Sequence, residues 1–157
     1  MKTAESLAVV HFNTFGGYWM SASDGDARAL ALYERHYSCY RYKDGRKRKL
    51  FMGPGEKMVL LTVNCDALFG WRKFIDGSGQ QGINCAVFRN ESTVLSSVLI
   101  EEAVQLAWAR WPGECLYTYV NARKIKSSNP GYCFKLNGWK YCGVTKCRKL
   151  IILERLP

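Results

Sequence analysis

Apolar positions follow a helical period in one long stretch and a strand-like pattern in several short ones. Between residues 95 and 111, Ile100, Ala103, Val104, Ala107, Trp108 and Trp111 fall at offsets of 3, 4, 7, 8 and 11, one face of a 3.6-residue repeat. The spacing predicts a helix over 95–111, capped by Ser96 or Ser97 and stopped by Pro112-Gly113. A shorter helix is expected from a cap at Asp24 or Asp26 through about residue 33, packing through Ala29, Leu30, Leu32 and Tyr33. Strand-like runs cover 7–14, followed by an irregular turn at Gly16-Gly17. Others cover 58–63 and 67–74, an antiparallel pair ahead of a turn at 76–79, and then 82–88.

The stretch 115–139 reads as a strand rich in Tyr, Thr and Val, a loop holding Asn129-Pro130-Gly131, and a short helix ended by Gly138. A new strand opens on Trp139, and 139–144 with 147–153 form a hairpin turning at Thr145-Lys146. The order is strand, helix, three strands, long helix, strand, short helix, two strands: a single α/β domain over 1–157 with a right-handed crossover through the long helix. It brings Tyr119, Asn121 and Tyr132 to one strand end, where open α/β sheets collect ligands.

Charge changes this picture. Lys and Arg number 23 against 13 Asp and Glu, for a net charge of +10. Such an excess points to a polyanionic partner, nucleic acid first, or equally to a basic soluble protein with no such partner. A basic excursion at about 41–56 opens on the run 41–49, which carries Arg41, Lys43, Arg46, Lys47, Arg48 and Lys49 against one acid, Asp44, with Tyr40 and Tyr42 alongside. Such cations neutralise phosphates and such rings stack on bases; the plainer reading is a solvated hairpin tip. Arg72, Lys73, Arg123, Lys124 and Lys126 add charge near the expected strand ends. Seven cysteines, an odd number with no Cys-x-x-Cys pair, read as reduced thiols of a cytosolic protein. No signal peptide opens the chain and no apolar run is long enough to span a bilayer, so no membrane partner is expected; oligomeric state is left open.

With two histidines in the chain, His36 is the first candidate for acid–base or metal chemistry, against a plain role at a helix C-terminus. His11 lies in an apolar strand. Tyr37 is open to three readings: ligand, proton donor or core aromatic. Asp66, Asp76 and Tyr119 are the only further metal ligands in view, and none has diagnostic spacing. Tyr132, at the start of the short helix, reads by itself as a core aromatic. Asn121 either pairs with an adenine edge or makes a turn.

The element order, with Gly131-Tyr-Cys-Phe-Lys-Leu-Asn-Gly-Trp139 after a strand, resembles the GNAT acyltransferase fold. In that family a glycine-rich loop holds the pyrophosphate of acyl-coenzyme A at the start of the central helix. Here residues 88–97 contain no glycine, and Glu91 would repel the anion, which speaks against acetyl-coenzyme A. His36-Tyr37-Ser38, a serine at the central helix, a Tyr-x-Asp-like strand end and a later tyrosine are together similar to the bacteriophage Mom DNA-modification proteins. That GNAT-fold family alters adenine in phage DNA against restriction, with an iron-dependent chemistry inferred for the group. The resemblance implies a catalytic set of His36, Tyr37, Ser96, Asn121 and Tyr132, with His36 and Tyr37 as metal ligands, DNA as partner and the cytoplasm of an infected bacterium as location. Asn121 stands where the family has an acid, and an amide is neither a base nor a strong metal ligand. The rival expectations are an acyl-coenzyme A dependent N-acetyltransferase on a small amine or protein, and a non-catalytic GNAT-fold nucleic-acid-binding protein.

Overall fold

The computed structural model describes residues 17–75 and 79–157. The strand expected at 7–14, His11 within it, and Asp76 lie outside the described residues. The elements run β1 (Trp19–Ala22), α1 (Ala27–Glu34), β2 (Glu56–Thr62), β3 (Ala67–Lys73), β4 (Ile83–Asn90), α2 (Ser96–Arg110), β5 (Leu116–Val120), a 3₁₀ turn (Ala122–Lys124), α3 (Tyr132–Lys135), β6 (Lys140–Val144) and β7 (Ile151–Arg155). The strands form one mixed α/β sheet in the order β1-β2-β3-β4-β5-β7-β6. Every neighbouring pair is antiparallel except β4 with β5, joined by the α2 crossover. Among the described residues no helix is long and apolar enough to cross a membrane.

Strand alternation sends side chains to two cores. On one face, Leu60, Phe69, Trp71, Ile83 and Cys85 meet Leu99, Ile100, Ala103, Val104 and Ala107 of α2. The helical face foreseen at 100, 103, 104, 107 and 111 is buried, and Trp108 packs at its margin. Two indoles fasten this layer. Trp19 Nε1–H donates to the carbonyl of Leu99 and Trp71 Nε1–H to that of Ala103, both at 2.9 Å and one helical turn apart. The other face carries α1, whose Ala29, Leu32 and Tyr33 cover Val59, Leu61, Leu68 and Val87, joined by Phe51 and Met52. Gly70 sits beneath Met52, and a β-carbon there would press into the Met52 sulfur.

Several details depart from the expectations. Strand β1 was hidden because it has only four residues and no clean alternation, yet Trp19 and Met20 are buried. Asp26 alone caps α1, while Asp24 accepts from the amides of Phe51 and Met52 and ties the excursion to the sheet. Helix α2 starts from Leu95 with no side-chain cap, so Ser96 is its first helical residue and not its cap. Strand β7 begins at Ile151, not residue 147. Thr145 and Leu150 close the connection instead, through Thr145 N–H to Leu150 O and Leu150 N–H to Thr145 Oγ1, both 2.9 Å. Outermost in the sheet, β6 is largely exposed and its register slips between Tyr141 and Gly143.

Two irregularities shape the sheet around β4 and β5. Gly70 pairs with Val87 and Trp71 with Cys85, so Ala86 is an extra residue bulged out of β4. The parallel pairing of β4 with β5 covers only Ile83–Leu116, Asn84–Tyr117 and Cys85–Thr118. Beyond that point β4 stays with β3 and β5 stays with β7, and the sheet opens between them.

Gly70→Ala is expected to cost about 1–3 kcal/mol by overpacking against Met52. In the Met52→Ala background the same change should cost less, read as urea denaturation midpoints of the four proteins.

Candidate functional site

The opening between β4 and β5 is the floor of a cleft of about 1120 Å³. Its floor and walls include Cys85, Val87, Phe88, Thr118 and Tyr119; His36, Tyr37 and Tyr40 close one side, and Asn121, Arg123, Lys124, Tyr132 and Arg148 the other. At the apex, Thr118 Oγ–H donates to the Cys85 carbonyl at 3.2 Å. The Cys85 thiol is fully enclosed, and burial pushes it up to about 12, so it is a spacer here and not a nucleophile.

His36 and Tyr37 follow the end of α1 and reach across both strand ends. Their rings stack at 4.4 Å. His36 Nδ1 accepts the Ser38 amide at 3.2 Å and lies 2.7 Å from Ser38 Oγ, which leaves the proton of the neutral ring on Nε2. The ring also sits against the backbone of Phe88, on β4, which acts to raise its pKa. Burial, with Arg89 nearby, lowers His36 from its usual value to about 4. Burial likewise raises Tyr37, against an opposing hydrogen bond from the Asn121 backbone. Lys124 Nζ reaches the Tyr37 carbonyl at 3.5 Å, so the two sides of the opening are bridged.

The approach from α1 is locked by charge. Arg35 grips Glu91 through two bonds of 2.7 and 2.8 Å, and Arg89 adds a third at 2.5 Å. These hydrogen bonds bring the Glu91 carboxyl down to about 2.

Of the residues singled out in the sequence, His36, Tyr37, Asn121 and Tyr132 meet at this cleft. Ser96 does not line it and instead receives Asn90 Nδ2 at 3.0 Å. Asn121 makes a turn, its Oδ1 accepting the Arg123 amide at 3.2 Å, and also faces the cleft. Tyr132 is exposed at the first turn of α3. The charges separate. Arg123 and Lys124 line the cleft, whereas Lys73 pairs with Glu114 at the opposite end of the strands and Arg72 holds the Met52 carbonyl. In the excursion, Arg41 bonds the Glu34 carbonyl, Arg46 pairs with Asp44 over the Tyr42 ring, and Arg48 bonds the carbonyls of Tyr40 and Leu50. Tyr42 also takes Arg48 against its ring, so it is engaged within the loop. Lys43, Lys47 and Lys49 are exposed. Arg148, in the last hairpin, was missed; its signal was the lack of any acid around it.

Neither expected cofactor finds a ready seat. Among the described residues no group of three His, Cys, Asp or Glu side chains is placed to hold a metal, and Nδ1 of His36 is taken by Ser38. Asp66, the remaining described carboxylate considered, accepts from Thr62 Oγ at 2.6 Å. At the start of α2 the Asn90 side chain fills the loop: Nδ2 donates to Val94 O at 2.7 Å and Oδ1 accepts the Ser92 amide at 2.9 Å. Ser92 Oγ takes the Val94 amide at 3.1 Å, which turns inward the N–H groups that would cradle a pyrophosphate.

With a folded-state value near 4 against an ordinary 6.5, His36 binds its proton more readily in the unfolded chain. Its contribution is full above pH 6.5 and is lost as pH falls toward 4. Urea midpoints should therefore drop more over that window in wild type than in His36→Phe, and the His36 ring should titrate by NMR well below 6.5. The chain matches no protein-family model, no curated protein and no solved structure.

Proposed function

We propose that this protein is a GNAT-like transferase that modifies the exocyclic amine of adenine in DNA, as the resemblance to phage Mom proteins implies. The carrying observation is the cleft at the parting of β4 and β5, which gathers His36, Tyr37, Asn121 and Tyr132 beside Arg123, Lys124 and Arg148. The strand order, with its single parallel pair and an α2 crossover, supports the GNAT-like assignment. The cleft is large enough for an extruded nucleoside, and extrusion is what chemistry on a base inside a duplex requires.

In this reading the neutral His36–Tyr37 stack offers a flat wall for the base, and Asn121 pairs with its edge. Asn121 Oδ1 keeps a second lone pair beside its turn bond, and its NH₂ supplies the donor. The donor substrate is a molecule with an electrophilic carbon and a leaving group. The adenine amine forms a bond to that carbon as the carbon–leaving-group bond breaks. Tyr132 gives its hydroxyl proton to the departing group, and the amine releases one to water. An acyl-coenzyme A donor is disfavoured by the Asn90-filled loop, and no step is assigned to iron.

A second reading, a nucleic-acid-binding protein without chemistry, is favoured by Asn121 in place of an acid and by the engagement of His36 Nδ1 with Ser38.

Mass spectrometry of nucleosides from the DNA of expressing cells separates the two. A new adenosine species is expected, reduced at least about tenfold by Tyr132→Phe, in keeping with the loss of a general acid. Unmodified DNA from wild-type cells would leave only the binding protein.

A further inference from the structure

The positive charge is distributed unevenly along the chain. Residues 116–153 contain eight Lys or Arg and no Asp or Glu, while the rest of the sequence holds fifteen against thirteen. Eight of the ten units of net charge thus reside in β5, α3, β6, the start of β7 and their connections. The eight are Arg123, Lys124, Lys126, Lys135, Lys140, Lys146, Arg148 and Lys149, and all are exposed. Among the described residues none of them has an ion-pair partner; the acids pair elsewhere, with Arg28, Arg35, Arg46, Lys57, Lys73, Arg89, Arg110 and Arg155. Concentrating like charges without counterions costs self-repulsion, which a bound polyanion would relieve.

We infer that this lobe is the surface that grips the sugar–phosphate backbone of the nucleic acid whose base enters the cleft. The proposal rests on the reading of the cleft as a DNA site and adds where the strand lies. Three observations favour it over the 41–49 excursion. Arg123, Lys124 and Arg148 are part of the cleft wall, so a backbone on the lobe passes over the mouth. Exposed Tyr132 and Tyr141 stand among the lobe cations with open rings, as a stacking platform requires. In the excursion the three arginines hold carbonyls or Asp44, whereas among the eight lobe cations only the side chains of Lys124 and Lys135 hold a protein oxygen among the described residues. A concave polar mouth with Asn121, Ser127 and Asn129 on its lining also fits an extruded nucleotide better than a flat anionic lipid surface.

Fluorescence anisotropy of a labelled duplex and a single-stranded oligonucleotide, titrated from low to physiological salt, tests this on the whole chain. Each lost phosphate contact lowers the slope of log K against log salt by about 0.9 on duplex and about 0.7 on single strand. Lys146→Ala/Arg148→Ala/Lys149→Ala should therefore flatten the duplex slope by about 2–3, and Lys43→Ala/Lys47→Ala/Lys49→Ala by less. Circular dichroism melts confirm that both variants fold, and Lys126→Ala/Lys140→Ala serves as an independent lobe variant if the first does not. An equal or larger effect from the excursion variant, or no salt-dependent binding by wild type, would overturn the inference. So would binding to phosphatidylserine vesicles lost in the lobe variant while DNA affinity is unchanged. Lobe-dependent binding without modified adenosine would remove the transferase and keep the surface; modified DNA with an indifferent lobe would do the reverse.

Discussion

Parallel pairing between β4 and β5 lasts three residues, and the ligand side of the molecule depends on its interruption. The bulge at Ala86 lets β4 follow β3 while β5 turns away with β7. Parted strands expose backbone groups that must be satisfied. The structure meets this need with side chains and a neighbouring loop: Thr118 at the apex, His36 against Phe88, and Tyr37 against Asn121. The residues that look catalytic in the sequence are therefore also the braces of an open sheet. Bracing makes this wall of the cleft rigid, so a structural role for these residues does not compete with the proposed one.

Rigidity on the far side of the sheet allows that gap. Two indole N–H groups fix α2 to β1 and β3 at successive turns of the helix, and Asn137 Nδ2 holds the Ser97 carbonyl at 2.7 Å to dock the segment after α3. The Arg35–Glu91–Arg89 cluster joins the end of α1 to the end of β4 and is exposed to screening, so it orients the approach more than it stabilises the fold.

The long helix and the strand pair β2–β3 were legible because their signals are local: a 3.6-residue face and two apolar runs. Strand β1 was not, because Trp19 and Met20 gain their burial only from partners some forty and eighty residues away. The hairpin β6–β7 was legible in kind but not in register, because Lys149 at φ 55° and the Thr145–Leu150 bonds decide its turn. Tyr119, Asn121 and Tyr132 could be placed together because element order carries them to one end of the sheet, whereas His36 and Tyr37 joined them only through the resemblance. Ser96 could not be placed, since whether a first-turn serine faces the cleft or Asn90 depends on a single side-chain bond. The basic run at 41–49 was conspicuous in sequence yet ties its arginines to carbonyls and Asp44 within the protein; the lobe was inconspicuous because its charges are spread over thirty-eight residues.

Among the described residues the outer strand β6 pairs on one side only, with β7, and its other backbone row has no strand partner. Such an edge is a template on which a second chain can crystallise into a continuous ribbon. Lys140 at its first position and the register slip between Tyr141 and Gly143 spoil that template, one by the cost of burying an ammonium and the other by twisting the donors out of line. The sheet is closed to growth at this end by an irregularity, just as it is opened to a ligand by another.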